Sequence, residues 1–513
     1  MAEKTRLFGL ETEYGIQVDD VDDMDVVVES MELIRCYLHE NFVARWDYER
    51  ENPRLDMRGF EVDQLRNDKD ETEHLQRDRE RKIPLKELKS DLIIQNGARL
   101  YNDHTHPEYS TPECWSLFDL LEQDRAGERI LFHCAQQRTA TRQGGTVRLY
   151  KNNTDFEGHS YGCHENFLIR RELPFQQVID ALLPFVVTRQ IFAGAGKVGV
   201  EQDRRAQKKV FYQISQRADF FETIASVDTM QRRPLVNTRD EPHADAERYR
   251  RLHLIFGDAN MSEHITALKV GTTVLVLDMM EAGVLPQWSL QDPVAALKEV
   301  SHDSSYQWPV ALADGSHTSA LEIQRRYLDK GRAFAAGRDA ETDWVLQQWG
   351  DMLDHLGRDP MGLVGTCDWV TKKWLLEAFA KSEGLDWEKA DDRAWLQSQD
   401  LEYHNIDPEE GLYLLLESQG QVQRLIEDAA IVQAMVQPPQ GTRAWFRGRC
   451  IAKFGAAVGA INWDSIEIEV GGRMEVIDLK ACVDADTANY YNQVLEEVQS
   501  VEELINRLPP ERR

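Results

Sequence analysis

The sequence has no long apolar run, no paired cysteines and no excess of positive charge, and each absence excludes a class of protein. No stretch approaches the ~18 apolar residues of a membrane-spanning helix, and the opening MAEKTRLFGL lacks the apolar core of a signal peptide. The seven cysteines are scattered and form no CxxC motif, so neither a disulfide framework nor a zinc knuckle is expected. These absences predict a soluble protein that works in the reducing cytoplasm.

The charge balance is acidic, with a formal net charge of -29, and acidic and basic residues are mixed along the chain. General binding of nucleic acid requires a basic surface, so this composition argues against that function. The acidic composition is compatible with the binding of metal ions and with local basic pockets. One basic patch, EQDRRAQKK at 201–209, would suit an acidic partner, and a solvated surface loop explains it equally well.

The usual nucleotide-binding loops are missing as well, since the sequence has no Walker A motif. GAGKVG at 194–199 fits the pattern GxGxxG, but a helix-like segment precedes it. A dinucleotide-binding fold requires a strand, a loop and a helix in that order. A nucleotide bound to this chain would therefore have to be held in another way.

The sequence does contain strand-like segments that carry polar groups, and the first of them is RLFGLETEYGIQVDD. Because side chains alternate between the two faces of a strand, Glu11 and Glu13 share one face, roughly 7 Å apart. Two interpretations are open. This face is either the solvated side of an amphipathic strand or the wall of a site that holds something large and positive.

Three later segments, NGARLYNDHTHPEYS, YKNNTDFEGHSYGCHENF and VNTRDEPHADAERYRRLH, supply matching groups. Their polar residues include Arg99, Tyr101, Asp103, His106, Glu108, Asn152, Asn153, His164, Asn166, Arg239, Glu241, His243 and Asp245. Each segment alone is compatible with an exposed strand. Together they provide the carboxylate oxygens that Mg²⁺ prefers and the arginines that clamp phosphate, so they predict a metal–phosphate site.

The chain is long enough for two domains, because 513 residues exceed what one compact core usually accommodates. Apolar periodicity predicts helices over 115–137, 174–192, 318–336, 342–356 and 370–382. PPQGTR at 438–443 indicates a linker, and the Gly471-Gly472 pair predicts a hairpin beyond it. We predict a catalytic domain over 1–437 and a small C-terminal domain over 438–513.

Residues 47–91 lose this periodicity, and the part from 66 to 82 is almost wholly polar. A long charged loop next to strands that carry carboxylates is either a disordered insertion or a functional lid. The sequence alone leaves both interpretations open.

Eight segments are similar to those of one known family: GLETEYG, RWDYERENPRLDMRGF, NGARLYNDHTHPEYS, YKNNTDFEGHSYGCHENF, LLPFVVTRQIFAGAGKVG, VNTRDEPHADAERYRRLH, RAWFRGRC and NWDS. In order, from about residue 6 to 465, the chain resembles the Pup ligase and depupylase family of the glutamine synthetase-like carboxylate-amine ligase superfamily. The resemblance implies an α+β fold, with a glutamine synthetase-like large domain, a curved antiparallel β-sheet flanked by helices, and a small C-terminal domain.

Within that family, the segment 47–91 resembles a loop that depupylases carry and ligases lack, and the spacing of DHTHPEY is also more similar to depupylases. The resemblance therefore implies an enzyme that hydrolyses the isopeptide bond between the prokaryotic ubiquitin-like modifier Pup and substrate lysines. Such an enzyme also deamidates the modifier's C-terminal glutamine to glutamate. The alternatives are a Pup–protein ligase that consumes ATP through a γ-glutamyl phosphate and an inactive homologue that only binds the modifier.

The cofactors and residue roles are implied by the same resemblance. The cofactors are Mg²⁺ and ATP, or ADP plus phosphate, and the partners are Pup and pupylated proteins, with a functional link to the bacterial proteasome. Asp103 matches the catalytic aspartate, which acts either as the nucleophile or as a base for water. The implied Mg²⁺ ligands are Glu11, Glu13, Tyr101, Glu108, His164 and His243. The implied nucleotide-binding residues are Arg99, Thr111, Asn153, Arg239, Arg443, Arg447 and Trp463, the last of which would stack on the adenine.

Overall fold

The structure, a computed structural model, describes residues 6–21, 24–37, 45–66, 76–201, 210–229 and 232–509. The middle of the polar segment at 66–82 and most of the basic patch at 201–209 lie outside these ranges. Within the ranges, no helix is long and apolar enough to cross a membrane.

The strands are short, and most of them pair in antiparallel fashion. In chain order they are β1 Phe8–Glu13, β2 Gly15–Val18, β3 Leu55–Asp56, β4 Phe60–Glu61, β5 Leu92–Ile93, β6 Arg99–Asp103, β7 His106–Ser110, β8 Val147–Tyr150, β9 Cys163–Arg170, β10 Lys197–Val198, β11 Tyr212–Gln213, β12 Thr223–Ser226, β13 Pro234–Asn237, β14 Tyr249–Leu254, β15 Pro309–Ala311, β16 His317–Ser319, β17 Val458–Asn462, β18 Ser465–Val470 and β19 Arg473–Asp478. Eight of them form one sheet in the order β12-β13-β14-β9-β1-β7-β6-β5. In this sheet the β12–β13 pair is parallel and the other pairs are antiparallel.

Strand β1 lies inside this sheet, between β9 and β7, and it forms as the alternation of its residues predicts. Phe8 and Leu10 are buried in the main hydrophobic core, whereas Glu11 and Glu13 are only partly buried. An antiparallel sheet can cover one face with a core and keep the other face polar. The two glutamates therefore lie together on the polar face.

Helices supply most of the main core. In chain order they are Val26–Arg35, Leu85–Lys89, Leu117–Thr141, Phe175–Thr188, Gln190–Ala193, Glu263–Glu281, Pro293–His302, Ala320–Ala335, Ala340–Arg358, Asp368–Glu383, Ala390–Tyr403, Leu412–Ser418, Asp428–Ala434, Arg443–Phe454, Ala485–Glu497 and Val501–Arg507. The helices predicted from periodicity are all present, and the one expected at 174–192 is divided in two at Arg189. Helices and a mostly antiparallel sheet confirm the predicted α+β class.

The C-terminal part of the chain has a hydrophobic core of its own. Helices Arg443–Phe454 and Ala485–Glu497 pack with the three-stranded sheet β17–β18–β19, and Phe446, Ile466 and Tyr491 are completely buried there. Trp46 and Ile93, from the first part of the chain, also pack in this core. The boundary at 438 stays a prediction.

The predicted hairpin in this part is present. Gly471 and Gly472 join β18 to β19 with φ angles of 56° and 82°, a left-handed conformation that glycine adopts without strain. The last helical stretch, over 485–507, is not continuous. It is divided after Glu497, and Ser500 caps the new helix by accepting a hydrogen bond from Glu503 N.

The segment 47–91 is folded where the structure describes it, and it links two distant parts of the molecule. Arg50 binds Glu467 of β18 at 2.9 Å, which ties the start of the segment to the C-terminal sheet. Further along, Met57 N donates a hydrogen bond of 2.8 Å to Thr238 O, in the connection between β13 and β14. The described part of the segment therefore packs against the rest of the chain, and the middle of its polar stretch, 67–75, lies outside the described residues.

Candidate active site

One face of strands β6, β7, β1, β9 and β14 lines an open cavity of about 1930 Å³. Most small-molecule pockets measure ~300–1,000 Å³, so this cavity has room for part of a macromolecule. Residues opposite each other on neighbouring strands lie on the same face, and the register therefore decides which side chains meet. Glu13 pairs with Glu108, Glu108 pairs with Tyr101, and Glu11 pairs with His164.

The described residues contain two groups of possible metal ligands, and the first consists only of carboxylates. Glu13, Asp103 and Glu108 each offer an oxygen within 4.8 Å of the others, and we call them the carboxylate cluster. Glu108 is 1% exposed, and its Oε1 accepts hydrogen bonds from Tyr101 Oη at 2.8 Å and from Ser110 Oγ at 3.1 Å. Tyr101, a predicted metal ligand, thus contacts the cluster through Glu108.

Burial and repulsion between like charges both oppose ionisation in the carboxylate cluster. Burial, together with the charges of Asp103, Glu11 and Glu13, raises the pKa of Glu108 well above its usual range. A cation relieves this repulsion, and carboxylate oxygens are the ligands that Mg²⁺ prefers. The donor set of the carboxylate cluster therefore fits Mg²⁺.

The second group, which we call the histidine cluster, consists of Glu11, His164 and His253. His164 Nδ1 lies 3.1 Å from Glu11 Oε2, and His253 Nε2 lies 3.3 Å from the same oxygen. Burial opposes the charge of Glu11, but the imidazoles and Arg251 outweigh it and hold the pKa of Glu11 well below its usual range. This cluster combines one carboxylate with two imidazoles.

His253 has the properties of a metal ligand. Burial and the charge of Arg251 lower its pKa to about 3, so its imidazole is neutral near pH 7. Its Nε2 is buried and has no partner with hydrogen-bond geometry among the described residues. The neutral imidazole, which has a lone pair on one of its two ring nitrogens, is the form in which histidine binds metal ions.

The structure favours His253 over the predicted His243 as the second imidazole. His253 lies on β14 opposite Asn166, in the strand next to that of His164. His243 precedes β14 with a φ of 48°, and it belongs to neither cluster among the described residues. The remaining five predicted ligands, Glu11, Glu13, Tyr101, Glu108 and His164, lie in the two clusters or in contact with them.

His243 lies beside both the main cavity and a smaller one of about 80 Å³. Burial and the charges of Arg251 and Arg443 lower the pKa of its ring well below the usual range. Its carbonyl accepts a hydrogen bond from Arg443. His243 is therefore part of the wall that separates the two cavities.

Asp103, the predicted catalytic residue, ends β6 at the edge of the carboxylate cluster, and its side chain is 23% exposed. Its Oδ1 lies 3.2 Å from Lys89 Nζ and 3.2 Å from His104 Nδ1. Burial opposes the charge of Asp103, but His104 and Lys89 outweigh it and hold its pKa well below the usual range. An ionised carboxylate that faces a cavity meets the requirement for a nucleophile or a general base.

Three of the predicted nucleotide-binding residues line the smaller cavity, namely Thr111, Arg443 and Trp463. Apolar residues such as Leu10 and Phe167 form much of its remaining lining. Thr111 Oγ accepts a hydrogen bond of 3.0 Å from Leu10 N, which fixes the position of its side chain. The indole and the apolar lining give this cavity a surface on which a planar base can stack.

Arg99 and Arg239 line the main cavity, where a phosphate contact was predicted for both. Arg99 already has partners in the protein. Its Nη2 lies 2.6 Å from Asp91 Oδ2, and its guanidinium lies 3.7 Å from the ring centroid of Trp46. Arg239 Nε donates to Val227 O at 3.1 Å. The phosphate contacts of both arginines stay predictions.

Arg447 and Asn153 are absent from the described lining of both cavities. Arg447 is completely buried and binds Glu113, which joins the helix Arg443–Phe454 to the first part of the chain. Asn153 is completely buried and donates to Tyr161 O at 3.1 Å. Structural roles account for both residues, and their positions give the predicted nucleotide contacts no direct support.

Residues 6–467 match the profile of the Pup-ligase protein family. The chain belongs to this family. The match includes the main sheet and both clusters, and it confirms the family that the sequence motifs predicted.

Members of the family with different activities are similar to the chain. The depupylase of Acidothermus cellulolyticus is 45% identical over 478 residues, which cover 91% of this chain and 92% of that protein. The Pup deamidase/depupylase of Mycolicibacterium smegmatis is 40% identical over 480 residues, with the same coverage of 91% and 92%. The Pup–protein ligase of Nakamurella multipartita is 46% identical over 372 residues, which cover 71% of this chain and 80% of the ligase. The depupylases therefore match over a longer part of the chain.

Two solved structures of the Pup ligase PafA have a similar fold. PafA in complex with Pup is 30% identical to this chain and has a TM-score of 0.77, with coverage of 99% of this chain and 98% of PafA. PafA in complex with ADP is 34% identical and has a TM-score of 0.71, with coverage of 85% and 96%. These similarities confirm the predicted fold class.

Proposed function

We propose that this protein is a Pup deamidase/depupylase. It hydrolyses the isopeptide bond between the C-terminal glutamate of a Pup-type modifier and a substrate lysine, and it converts a C-terminal glutamine of the modifier to glutamate. The observation that carries the proposal is the ionised Asp103 beside the carboxylate cluster, in a cavity with room for a protein-borne amide. The depupylases that match 91% of the chain support this branch of the family.

Both reactions are the same chemistry at a γ-carbonyl carbon, whose bond to nitrogen is replaced by a bond to oxygen. Two roles for Asp103 are consistent with its position. As a nucleophile, its carboxylate attacks the carbonyl carbon and forms an anhydride that water then hydrolyses. As a general base, it takes a proton from a water molecule that attacks the same carbon. In both cases the nitrogen gains a proton and leaves as lysine amine or ammonia, and the modifier keeps a γ-carboxylate.

The proposed cofactors are Mg²⁺ and ATP, or ADP plus phosphate. The carboxylate and histidine clusters would hold the cations, and the smaller cavity beside Trp463 would hold the base. A bound cation supplies Lewis-acid stabilisation of the oxyanion that forms at the carbonyl. The similarity to PafA, whose structure was solved with ADP, supports a nucleotide.

The proposed partners are Pup and pupylated proteins, and the similarity to PafA in complex with Pup supports them. A functional link to the bacterial proteasome follows from that choice of substrate. A cytoplasmic location also belongs to the proposal, and the seven cysteines are all free, as a reducing compartment requires.

A Pup–protein ligase is the second candidate, because the ligase of Nakamurella multipartita is 46% identical to the chain. A ligase consumes one ATP in each cycle and must therefore exchange its nucleotide. The segment that begins at 47 runs from the C-terminal sheet to Thr238 and lines the main cavity with Tyr48 and Glu51. The segment that resembles the depupylase loop thus contributes to the wall of the main cavity, which favours the depupylase over the ligase.

One assay distinguishes the candidates. The purified protein is incubated with Mg²⁺, ATP and either a Pup–lysine conjugate or free Pup plus a lysine-bearing protein. We expect cleavage of the conjugate and deamidation of Pup that ends in glutamine. ATP-driven conjugation without cleavage would identify a ligase, and binding alone would identify an inactive homologue.

The role of Asp103 is tested with Asp103→Asn, which keeps the shape of the side chain and removes its charge. We expect cleavage to be abolished while the nucleotide still binds, as measured by equilibrium binding of a fluorescent ADP analogue. Asp314→Asn, at an exposed position, serves as the matched control and should behave like the wild type. Near-normal turnover of Asp103→Asn would exclude Asp103 as the catalytic residue.

A further inference from the structure

Lys89 is the nearest described cation to Asp103 apart from His104, and it is built into the wall of the main cavity. Its Nζ lies 3.2 Å from Asp103 Oδ1, 5.6 Å from the ring centroid of Tyr48 and 5.9 Å from that of Tyr101. Aromatic faces attract an ammonium group at such distances. A carboxylate and two aromatic rings therefore hold this ammonium in one place.

The backbone on either side of Lys89 is fixed by buried groups. Leu88 is 3% exposed and packs with Val27, and its carbonyl accepts a hydrogen bond of 3.1 Å from Asn102 Nδ2. Ser90 is completely buried, has a φ of 46° and donates from its hydroxyl to the helix end. Since Asn102 directly precedes Asp103, strand β6 itself sets the distance between Lys89 and Asp103.

This arrangement acts on the orientation of the Asp103 carboxylate. The last torsion angle of an aspartate is broad, so a carboxylate at the end of a strand rotates unless its oxygens are bound. Lys89 and His104 both contact Oδ1, which leaves Oδ2 as the oxygen that faces a reacting group. Glu13 and Glu108 lie close by, and their charges repel the same carboxylate.

We propose that Lys89 is a positioning residue for the reaction: it binds Oδ1 of Asp103 and thereby directs Oδ2 at the scissile γ-carbonyl. This inference rests on the proposed function, because it assigns Asp103 the catalytic role. Lys89 itself does not contact the substrate. Its effect is on the rate of the chemical step and not on the binding of the modifier.

The test compares three variants in the cleavage assay. Lys89→Met keeps the length of the side chain and removes its charge, and Lys89→Arg keeps the charge. Lys86→Met, on the exposed side of the same short helix, is the matched control. A misplacement of about 1 Å at a reacting group costs on the order of 100-fold in rate. We therefore expect Lys89→Met to lower kcat by roughly 10- to 100-fold with KM unchanged within about twofold, and Lys89→Arg to restore most of the loss.

Each outcome decides between explanations. A raised KM with unchanged kcat in Lys89→Met would overturn the proposal, because Lys89 would then bind substrate. Equal losses in Lys89→Met and Lys89→Arg would also overturn it, since charge would not matter. Melting temperature and ADP affinity, measured for all variants, should match the wild type. Wild-type protein that cleaves no conjugate would refute the proposed function, whereas active wild type with a fully active Lys89→Met would refute the role of Lys89 alone.

Discussion

The carboxylate cluster and the histidine cluster lie side by side in one cavity and each takes a ligand from β1, yet their electrostatic properties are opposite. In the carboxylate cluster, burial and neighbouring carboxylates raise the pKa of Glu108. In the histidine cluster, the imidazoles and Arg251 hold the pKa of Glu11 below its usual range. Before any cation binds, the surroundings of Glu108 therefore favour its protonated form, and those of Glu11 favour its charged form.

This difference indicates separate tasks for the two clusters. The carboxylate cluster contains Asp103 and consists of hard oxygen donors, so a cation there would act next to the reacting carbonyl. The histidine cluster lies on the other side of β1, towards His253 and Arg251, and its mixed donors tolerate a wider range of metals. Four predictions separate these tasks, beginning with the largest effect.

Removal of the charge of Glu108 should have the largest effect on activity. Glu108→Gln deletes the buried carboxylate of the carboxylate cluster, and we expect cleavage to fall on the order of 10²- to 10³-fold, as for other losses of preorganised charge stabilisation. The measurement is kcat/KM at saturating Mg²⁺ and nucleotide. Glu469→Gln, an exposed change in β18, is the control and should leave kcat/KM unaltered. Retained activity in Glu108→Gln would place the essential cation elsewhere.

The second prediction distinguishes His253 from His243. His253→Ala removes a member of the histidine cluster, and we expect affinity for the divalent cation to fall at least ~10-fold. His243→Ala should change this affinity less, because its ring belongs to neither cluster among the described residues. Isothermal titration of both variants with Mg²⁺ measures the difference. A larger loss of cation affinity in His243→Ala than in His253→Ala would favour His243, the ligand predicted from the sequence.

The third prediction concerns the pH dependence of stability without metal. The folded protein binds the Glu108 proton more tightly than the unfolded chain, whose glutamate has the ordinary pKa of 4.5. The contribution of Glu108 to the free energy of unfolding therefore falls as the pH rises above 4.5 towards the raised folded value. In EDTA at neutral pH, Glu108→Gln should raise the melting temperature by roughly 1–3 °C, and Mg²⁺ should reverse the order of the two proteins. A lower melting temperature of the variant in EDTA would contradict this account.

The fourth prediction, with the smallest expected effect, concerns which divalent metal the histidine cluster prefers. Imidazole ligands favour Mn²⁺ over Mg²⁺, whereas carboxylates bind both. We expect the histidine cluster to bind Mn²⁺ several-fold more tightly than Mg²⁺, with paramagnetic broadening of the His164 and His253 signals by NMR as the measurement. Glu11→Gln should weaken the binding of both ions to this cluster, and Glu13→Gln should not. Equal broadening of histidines outside the cluster would show that the two sites do not differ in this way.

The sequence predicted those parts of the site that depend on local pattern. The alternation in β1 placed Glu11 and Glu13 on one face, and the structure has them there. The motifs predicted the family and the fold, and both are confirmed. The register between strands lies beyond local pattern, because it depends on how distant segments pack.

The case of His253 illustrates this limit. His253 is the last residue of the segment VNTRDEPHADAERYRRLH, and the sequence motifs assign it no role. The same motifs imply that His243, in the middle of the segment, is a metal ligand. Only the pairing of His253 with Asn166 places it beside His164. Its position on a strand, with an even spacing from Arg251, was the one local signal that could have indicated a cavity-facing side chain.

For Arg447 and Asn153, the nucleotide contacts stay predictions. Motif similarity cannot separate a residue that binds a ligand from one that holds the binding site together. Arg447 joins the C-terminal helix to Glu113, and Asn153 binds backbone groups inside the fold. Both are completely buried, a property that the sequence pattern did not reveal.

Strand β1 supplies Glu11 to one cluster and Glu13 to the other, with Thr12 between them. The regular spacing of side chains along an extended strand therefore sets the distance between the carboxylate cluster and the histidine cluster. A twist or shift of β1 displaces both clusters together. A backbone movement in β1 therefore cannot change the geometry of one cluster alone. Substitutions in the side chains and loops around β1 therefore leave the interval between the two clusters unchanged.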